Sequence, residues 1–169
     1  MVRVRRAVPE DADLIAAVHV RTWQVAYRGL MPDALLDGLS AERRAEMWRT
    51  VTAEDSAAVY VAVDDGRVVG FCGVATPSRD EDAKGDVAEI GAIYVDPDVW
   101  RRGVGRALMD VVLADLRAAG WRWLTLWVLA ENEQARDFYA RFGFALDGAR
   151  RTAEGTGVTE VRLLAPVAG

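Results

Sequence analysis

Residues 87–120 constrain the fold of this chain more than any other segment. The segment opens with an apolar, β-branched run at residues 90–95, which predicts a buried strand that ends at Asp96 and Pro97. A turn containing Gly103 and Gly105 follows. Apolar residues then recur with helical spacing, at positions 104, 108, 111, 112, 116 and 119. The segment therefore predicts a strand, a glycine turn and a helix in succession.

The glycine turn has the features of an anion-binding site. Glycines let the backbone approach a ligand closely, and the amides that begin a helix are unpaired and lie at the positive end of its dipole. We expect a β-carbon at Gly103 or Gly105 to obstruct the ligand or strain the turn. Three side chains of the turn add guanidinium groups suited to phosphate oxygens: Arg101, Arg102 and Arg106.

Two common nucleotide motifs are absent from the turn. Leu108 stands where the dinucleotide motif GxGxxG needs its third glycine, and the chain contains no GxxxxGK[ST] loop. The turn alone therefore predicts phosphate binding without identifying the ligand.

A second informative block lies at residues 126–144, where a predicted strand is followed by Asn132 and by the pairs Phe-Tyr and Gly-Phe. With the glycine turn and with Glu89 on the preceding strand, this block resembles the GNAT superfamily of acyl-CoA-dependent N-acetyltransferases over nearly the whole chain. One position departs from the family pattern. Trp100 lies three residues before Gly103, where the family usually has Gln or Arg. The backbone part of the anion site is unaffected by this change.

The resemblance implies a single α/β domain over residues 1–169, with a mixed α+β sheet of about seven strands and helices on both faces. In GNAT-like folds the central strand is splayed from the next one, here residues 87–95 from residues 121–129. The resemblance implies acetyl-CoA as co-substrate, with its pantetheine in that gap. An ordinary continuous sheet is the alternative. The residues implied in coenzyme binding are Ile93, Val95, Arg101, Arg102, Gly103, Val104, Gly105, Arg106 and Asn132.

Acetyl transfer to an amine needs a base, because an amine with a pKa of about 10.4 is only about 0.04% neutral at pH 7. Glu89 lies fourteen residues before Gly103, the spacing at which histone-modifying members of the family carry their glutamate base. In an apolar strand its carboxylate is expected to be partly desolvated. Two alternatives are a solvent-facing or ion-paired structural carboxylate and deprotonation relayed through water.

The helix of the second block contains the residue expected to protonate the leaving thiolate. Tyr139 resembles the general acid of the family, since a phenol that reaches the coenzyme sulfur can donate a proton to it. The alternative is an aromatic side chain of the core, which is the role expected for Phe138, Phe142 and Phe144. Asn132 is implied to contact the pantetheine arm and is also a good helix N-cap.

Aromatic residues also mark the region that walls the acceptor pocket in GNAT proteins. Trp23, Tyr27 and Arg28 lie at the end of the first predicted helix and in the break after it, and Trp127 lies on the splayed strand. These aromatic rings suit either cation–π contact with an amine or packing against the sheet. His19, the only histidine, is expected to be a packing residue.

Composition narrows the classes of function. The net charge of −5 argues against nucleic-acid binding and favours a cationic acceptor through long-range attraction. No apolar run reaches the roughly 18 residues of a membrane span, and no signal-peptide core follows Met1, so a cytoplasmic protein without a membrane partner is expected. Cys72 lies in an apolar run and is expected to be inert, and no side-chain cluster has metal-ligand spacing. The family resemblance makes a homodimer plausible.

The rest of the chain predicts short alternating elements. Strands are expected at residues 2–8, 57–63, 67–75, 121–129, 144–151 and 158–166, and helices at residues 9–27, 32–37, 40–51 and 132–142. The polar stretch at residues 78–86 predicts a mobile loop without core-forming residues, either a solvated hairpin end or a segment that orders over a ligand.

These observations predict an enzyme that moves an acetyl group from acetyl-CoA to a primary amine, on a small molecule or a peptide, by direct attack in a ternary complex. A covalent intermediate on Cys72 is the weaker version. Two alternatives remain open: a non-catalytic module that senses acyl-CoA, and transfer of a longer acyl group.

Overall fold

A computed structural model describes residues 1–168 of the chain. Within these residues, seven strands form one sheet in the order β1-β2-β3-β4-β5-β7-β6. All pairs of neighbouring strands are antiparallel except β4 and β5. The strands are β1 (Arg3–Arg6), β2 (Ala57–Asp64), β3 (Arg67–Ala75), β4 (Val87–Val95), β5 (Trp123–Leu129), β6 (Ala145–Thr152) and β7 (Thr159–Pro166). The helices are α1 (Ala12–Ala26), α2 (Asp33–Asp37), α3 (Ala41–Thr52), α4 (Val104–Ala118) and α5 (Glu133–Ala140).

The core lies on both faces of the sheet. Successive side chains of a strand point to opposite faces, and β3 shows the result: Phe71 packs with α1 and α3, whereas its neighbour Cys72 packs with α4. Both side chains are fully buried. The expected mixed α/β architecture with helices on both faces is confirmed.

The sheet opens between β4 and β5. The two strands pair only from Val87 to Ile90 on the β4 side. Directly after this pairing ends, Gly91 forms a β-bulge, because Ile90 lies opposite Val74 while Ala92 lies opposite Gly73. A bulge bends its strand and disrupts the local ladder. The expected splay of the central strands is therefore confirmed, and the bulge accounts for its position.

Most predicted elements lie within about two residues of their observed bounds, the usual uncertainty of element ends. Two differ in kind. Residues Pro9–Asp11 form a 3₁₀ turn before α1 and are not its first turn. The solvated loop expected at residues 78–86 is observed only in part. Arg79, Glu81, Asp82, Lys84 and Gly85 are exposed, whereas Ser78 is buried and Asp80 accepts hydrogen bonds from β5 and β7 side chains. Short polar side chains enter the structure here because they satisfy polar groups of neighbouring strands.

None of the helices in residues 1–168 combines the length and apolar character needed to cross a bilayer.

Candidate active site

A groove of about 1410 Å³ passes through the opening between β4 and β5. On one side of the sheet it is lined by the glycine turn that begins α4 and by α5. On the other side it reaches Trp23 and Tyr27 at the end of α1. The groove therefore connects the two faces of the sheet, and two molecules can meet in it from opposite sides.

The glycine turn presents free backbone donors to this groove. Gly103 is the N-cap of α4 and has a φ of 82°, in the left-handed region that favours glycine. The amide of Ala107 makes the first bond of the helix, to the Gly103 carbonyl at 2.9 Å. The amides of Val104, Gly105 and Arg106 precede that bond and have no partner within the helix. A β-carbon on Gly103 would meet no atom within 4 Å, so the space in front of the turn is open.

Gly105 allows α5 to pack closely against the start of α4, whereas the sequence predicted that it prevents strain in the turn or obstruction of the ligand. It lies inside α4 without a positive φ, so it carries no turn strain. A β-carbon there would lie 3.1 Å and 3.2 Å from two ring carbons of Phe138 on α5. The structure thus places the backbone strain at Gly103, and the close approach at Gly105 is an approach of α5.

The side chains of the turn divide into two groups. Arg101 and Arg106 line the groove, whereas Arg102 is exposed outside it. Arg106 also forms a 3.7 Å ion pair with Asp110. Trp100, the departure from the family pattern, donates from Nε1 to the Val95 carbonyl at 2.7 Å and so fastens the turn to the end of β4.

The open edge of β4 carries further backbone donors. The Asp96 amide donates to Val69 in β3 at 2.8 Å. Because amides alternate in direction along an antiparallel strand, those of Val95 and Ile93 point the other way, towards the gap. Both residues line the groove. The structure thus brings together at the groove all of the predicted coenzyme-binding residues except Arg102.

Glu89 is buried, as its apolar strand led us to expect, but its carboxylate is extensively hydrogen-bonded. Oε1 accepts from the Ser78 hydroxyl at 3.1 Å and from the Arg79 amide at 2.9 Å. Oε2 accepts from the Arg79 guanidinium at 3.0 Å, in an ion pair whose arginine side chain is 70% exposed. Glu89 also lines the groove. Glu89 is thus ion-paired and at the same time forms part of the groove wall.

Tyr139 lies on α5 and lines the same groove, and only 9% of its surface is exposed. Burial raises the pKa of its phenol well above the ordinary value, and neighbouring Tyr94 and Cys72 add to the effect. The phenol is therefore protonated at neutral pH and can donate a proton. Asn132, the N-cap of α5, accepts from the Ala135 amide at 3.2 Å and also lines the groove.

The aromatic residues at the other end of the groove pack against one another. The rings of Trp23 and Tyr27 are 5.0 Å apart, edge to face, and Tyr94 of β4 lies 6.1 Å from Trp23. Burial raises the pKa of the Tyr27 hydroxyl, and the neighbouring Tyr94 and Tyr139 hydroxyls raise it further. Tyr94 was not anticipated from the sequence, although its place on the central strand was the available signal.

Trp127 lines the groove from β5, but its polar and aromatic surfaces already have partners. Its Nε1 donates to Asp80 at 3.0 Å, and the Arg151 guanidinium lies 4.1 Å from its ring centre. Arg162 joins the same assembly through a 3.2 Å ion pair with Asp80. Trp127 thus holds residues 78–86 against the sheet.

Arg28 and His19 lie away from the groove. Arg28 is exposed and pairs with Asp33 and Asp37 at 3.2 Å and 3.1 Å, so the structure does not bring it to the other predicted acceptor residues. His19 is buried and accepts from Trp48 Nε1 at 3.0 Å. Burial, and then the nearby Arg44 charge, lowers its pKa to about 3, which keeps it neutral. These contacts give His19 a packing environment.

Several further groove residues were not anticipated from the sequence, among them Glu160 and Arg44. Glu160 of β7 lines the groove and accepts from Arg151 Nε at 2.8 Å. Arg44 of α3 lines it as well. No sequence signal marks either residue, since each reaches the groove only through tertiary packing. Within residues 1–168, no group of three or more His, Cys, Asp or Glu side chains is arranged to hold a metal ion.

Comparison with known proteins agrees with this architecture. Residues 20–144 match the model of the Acetyltransferase (GNAT) family. The chain is 34% identical to the uncharacterized N-acetyltransferase YuaI of Bacillus subtilis over 133 residues, which are 78% of this chain and 74% of that protein. It is also 34% identical to an uncharacterized N-acetyltransferase of Mycobacterium tuberculosis, over 83% of this chain and 86% of the relative.

Solved structures show the same fold. The PaiA N-acetyltransferase of Thermoplasma acidophilum, solved in complex with coenzyme A, superposes with a TM-score of 0.78 at 17% identity, over 96% of this chain and 98% of that one. A GNAT-family putative acetyltransferase of Desulfovibrio desulfuricans gives 0.75 at 24% identity, over 99% and 100% of the two chains. With its splayed sheet, its glycine turn and these relatives, the chain belongs to the GNAT family of N-acetyltransferases.

Proposed function

We propose that the protein transfers an acetyl group from acetyl-CoA to the primary amine of an acceptor, by direct attack while both substrates are bound. The observation that carries this proposal is the groove through the sheet, with backbone donors of the glycine turn on one side and aromatic side chains on the other. Binding two reactants in one channel removes much of the entropic cost of bringing them together.

The residues present fit the coenzyme. The amides of Val104, Gly105 and Arg106 would hold the pyrophosphate, and the open space at Gly103 admits it. The amides of Ile93 and Val95 would pair with the pantetheine arm, as a peptide adds to a sheet edge. Acetyl-CoA supplies the acetyl group as a thioester with a thiolate leaving group.

Glu89 is proposed to accept the proton of the amine, directly or through water. Its carboxylate offers about four acceptor positions, and Ser78 and Arg79 fill three of them. The remaining position is available to a water molecule or an ammonium proton. Because the Arg79 side chain is 70% exposed, it can move without disturbing the core.

Tyr139 is proposed to protonate the leaving thiolate. A phenol with a raised pKa stays protonated near pH 7, so Tyr139 carries a hydrogen that it can share with the sulfur while the carbon–sulfur bond breaks. Cys72 is not proposed as a nucleophile. It is fully buried on the α4 face, and burial raises the pKa of its thiol.

The proposal is tested with Glu89→Gln, Tyr139→Phe and the double variant, by thiol release from acetyl-CoA with a panel of primary amines. We expect each single variant to lose about a hundredfold or more in kcat, in line with the usual contribution of general acid–base catalysis. Coenzyme A affinity should stay near that of the wild type. Glu131→Gln, on an exposed side chain, serves as the control.

Unchanged turnover in the folded double variant would show that the two roles are wrongly assigned. If Glu89 had only a structural role, Glu89→Gln would lower the melting temperature without changing kcat or the pH dependence of kcat. A wild-type protein that binds acetyl-CoA but acetylates no amine would favour the acyl-CoA-sensing alternative.

A further inference from the structure

Five residues of the groove wall, contributed by the end of α1 and by α3, β4 and β7, are called the acceptor corner: Trp23, Tyr27, Arg44, Tyr94 and Glu160. Glu160 is already neutralised by Arg151, whose Nε lies 2.8 Å from its carboxylate. Glu89, which lines the same groove, is likewise paired with Arg79 at 3.0 Å. Glu160 and Glu89 are therefore each paired with an arginine, whereas Glu154 and Asp137, elsewhere on the groove wall, have no ion pair within residues 1–168.

Arg44, the other charged residue of the acceptor corner, has no such partner. It is half-buried and lines the groove, yet no carboxylate of residues 1–168 lies within 4.0 Å of it. Its only side-chain hydrogen bond within those residues is a 4.0 Å contact with Met47 Sδ. Its guanidinium lies 5.7 Å from the ring centre of Trp23. A half-buried guanidinium with five donors and no anionic partner is suited to a ligand oxygen.

Other polar atoms near Arg44 are also donors. Trp23 Nε1 is buried without a hydrogen-bond partner in the described part of the chain. His19 uses Nδ1 to accept from Trp48, so its proton is on Nε2, which is likewise buried and unpartnered. Because neutral His19 adds no second cation, Arg44 is the one unpaired charge among the five residues of the acceptor corner. A negatively charged group of the ligand complements it.

We propose that Arg44 binds a carboxylate of the acceptor, so that the acceptor is a primary amine that also carries a carboxylate, as an amino acid does. This inference rests on the proposed acetyl transfer. A guanidinium fork matches a carboxylate with two parallel hydrogen bonds, and the Trp23 and Tyr27 rings supply an apolar wall beside it. The net charge of −5 favours a cationic acceptor only at long range, where salt screens it. Arg44 acts at contact distance.

The test compares free L-amino acids with the carboxamides of the same amino acids, at saturating acetyl-CoA, by thiol release. The wild type should prefer the carboxylate form by at least about tenfold in kcat/KM, the usual scale of a hydrogen-bonded charge pair. Arg44→Gln should abolish that preference and Arg44→Lys should keep part of it, because lysine retains the charge without the fork. Arg43→Gln, on an exposed neighbour in the same helix, should leave the preference unchanged.

A second measurement is independent of turnover. N-acetyl-L-amino acids and their carboxamides are titrated by calorimetry into the protein loaded with coenzyme A, and Arg44→Gln should weaken binding of the carboxylates alone. Equal binding and turnover of acids and amides, or an undiminished preference in Arg44→Gln, would overturn the role of Arg44. Transfer only to amines without a carboxylate would overturn it while supporting acetyl transfer. Failure to bind coenzyme A would refute the proposed function itself.

Discussion

Substitution of Gly105 by valine tests the glycine turn most directly. A β-carbon at this position would lie 3.1 Å from Phe138 Cζ and 3.9 Å from Val95 Cγ2, in the space where α4, β4 and α5 meet. All three residues line the groove. The two additional methyl groups of valine would therefore displace the Phe138 ring, the Val104–Arg106 amides, or both.

The size of the effect follows from two typical costs. Extra methyl groups in a packed site cost about 1–3 kcal/mol. Loss of an exposed arginine contact costs about 0–1 kcal/mol, which is the expectation for Arg101→Ala. The midpoints of these ranges differ by about 1.5 kcal/mol. We therefore expect Gly105→Val to weaken coenzyme A binding about tenfold more than Arg101→Ala.

Calorimetric titration of coenzyme A into folded variants measures this difference. Arg101 offers a matched control because its own φ is 63°, a left-handed conformation that glycine adopts without strain. Arg101→Ala removes the charge alone, whereas Arg101→Gly removes the charge and relieves the backbone, so the latter should have the higher melting temperature. Wild-type affinity in Gly105→Val would show that Phe138 yields without displacing the Val104–Arg106 amides, which would refute this steric reasoning.

Three further outcomes are expected. Cys72→Ala should retain turnover, measured by thiol release, because the thiol is buried and protonated; near-complete loss in a folded variant would favour a covalent intermediate. Gly103→Ala should lower the free energy of unfolding by about 1–2 kcal/mol, since alanine resists the φ of 82°, and urea unfolding would measure this loss. The same variant should bind coenzyme A more weakly, which calorimetry would measure. His19 has a folded pKa of about 3 against an ordinary 6.5, so the unfolded chain binds the extra proton and stability falls as the pH drops below 6.5. Between pH 6 and pH 4, the free energy of unfolding of His19→Gln, measured in urea, should fall less steeply than that of the wild type, by up to about 1.4 kcal/mol per pH unit. The same pH dependence in both proteins would contradict this assignment.

The sequence by itself determined the elements whose signals are local. Residues 90–95 are apolar and β-branched and end at a proline, and the apolar positions after Gly105 recur with helical spacing, so the strand, turn and helix were predictable from neighbours in the chain. The strand of the hairpin at Arg67–Ala75 was predicted with the observed bounds. Family resemblance then placed the splay between the correct pair of strands.

Only the tertiary structure decided which charged side chains are paired with one another. Glu89 is paired by Ser78 and Arg79 of a stretch whose polar composition predicted a solvated loop, and Arg44 remains without a carboxylate because α3 carries it to a wall lined by aromatic rings. These contacts join residues far apart in the chain, and their geometry depends on how whole elements pack. Periodicity and capping signals report only on neighbours in sequence. The anion-binding character of the glycine turn was therefore predictable from the sequence, whereas the unpaired charge of Arg44 in the acceptor corner is a result of folding.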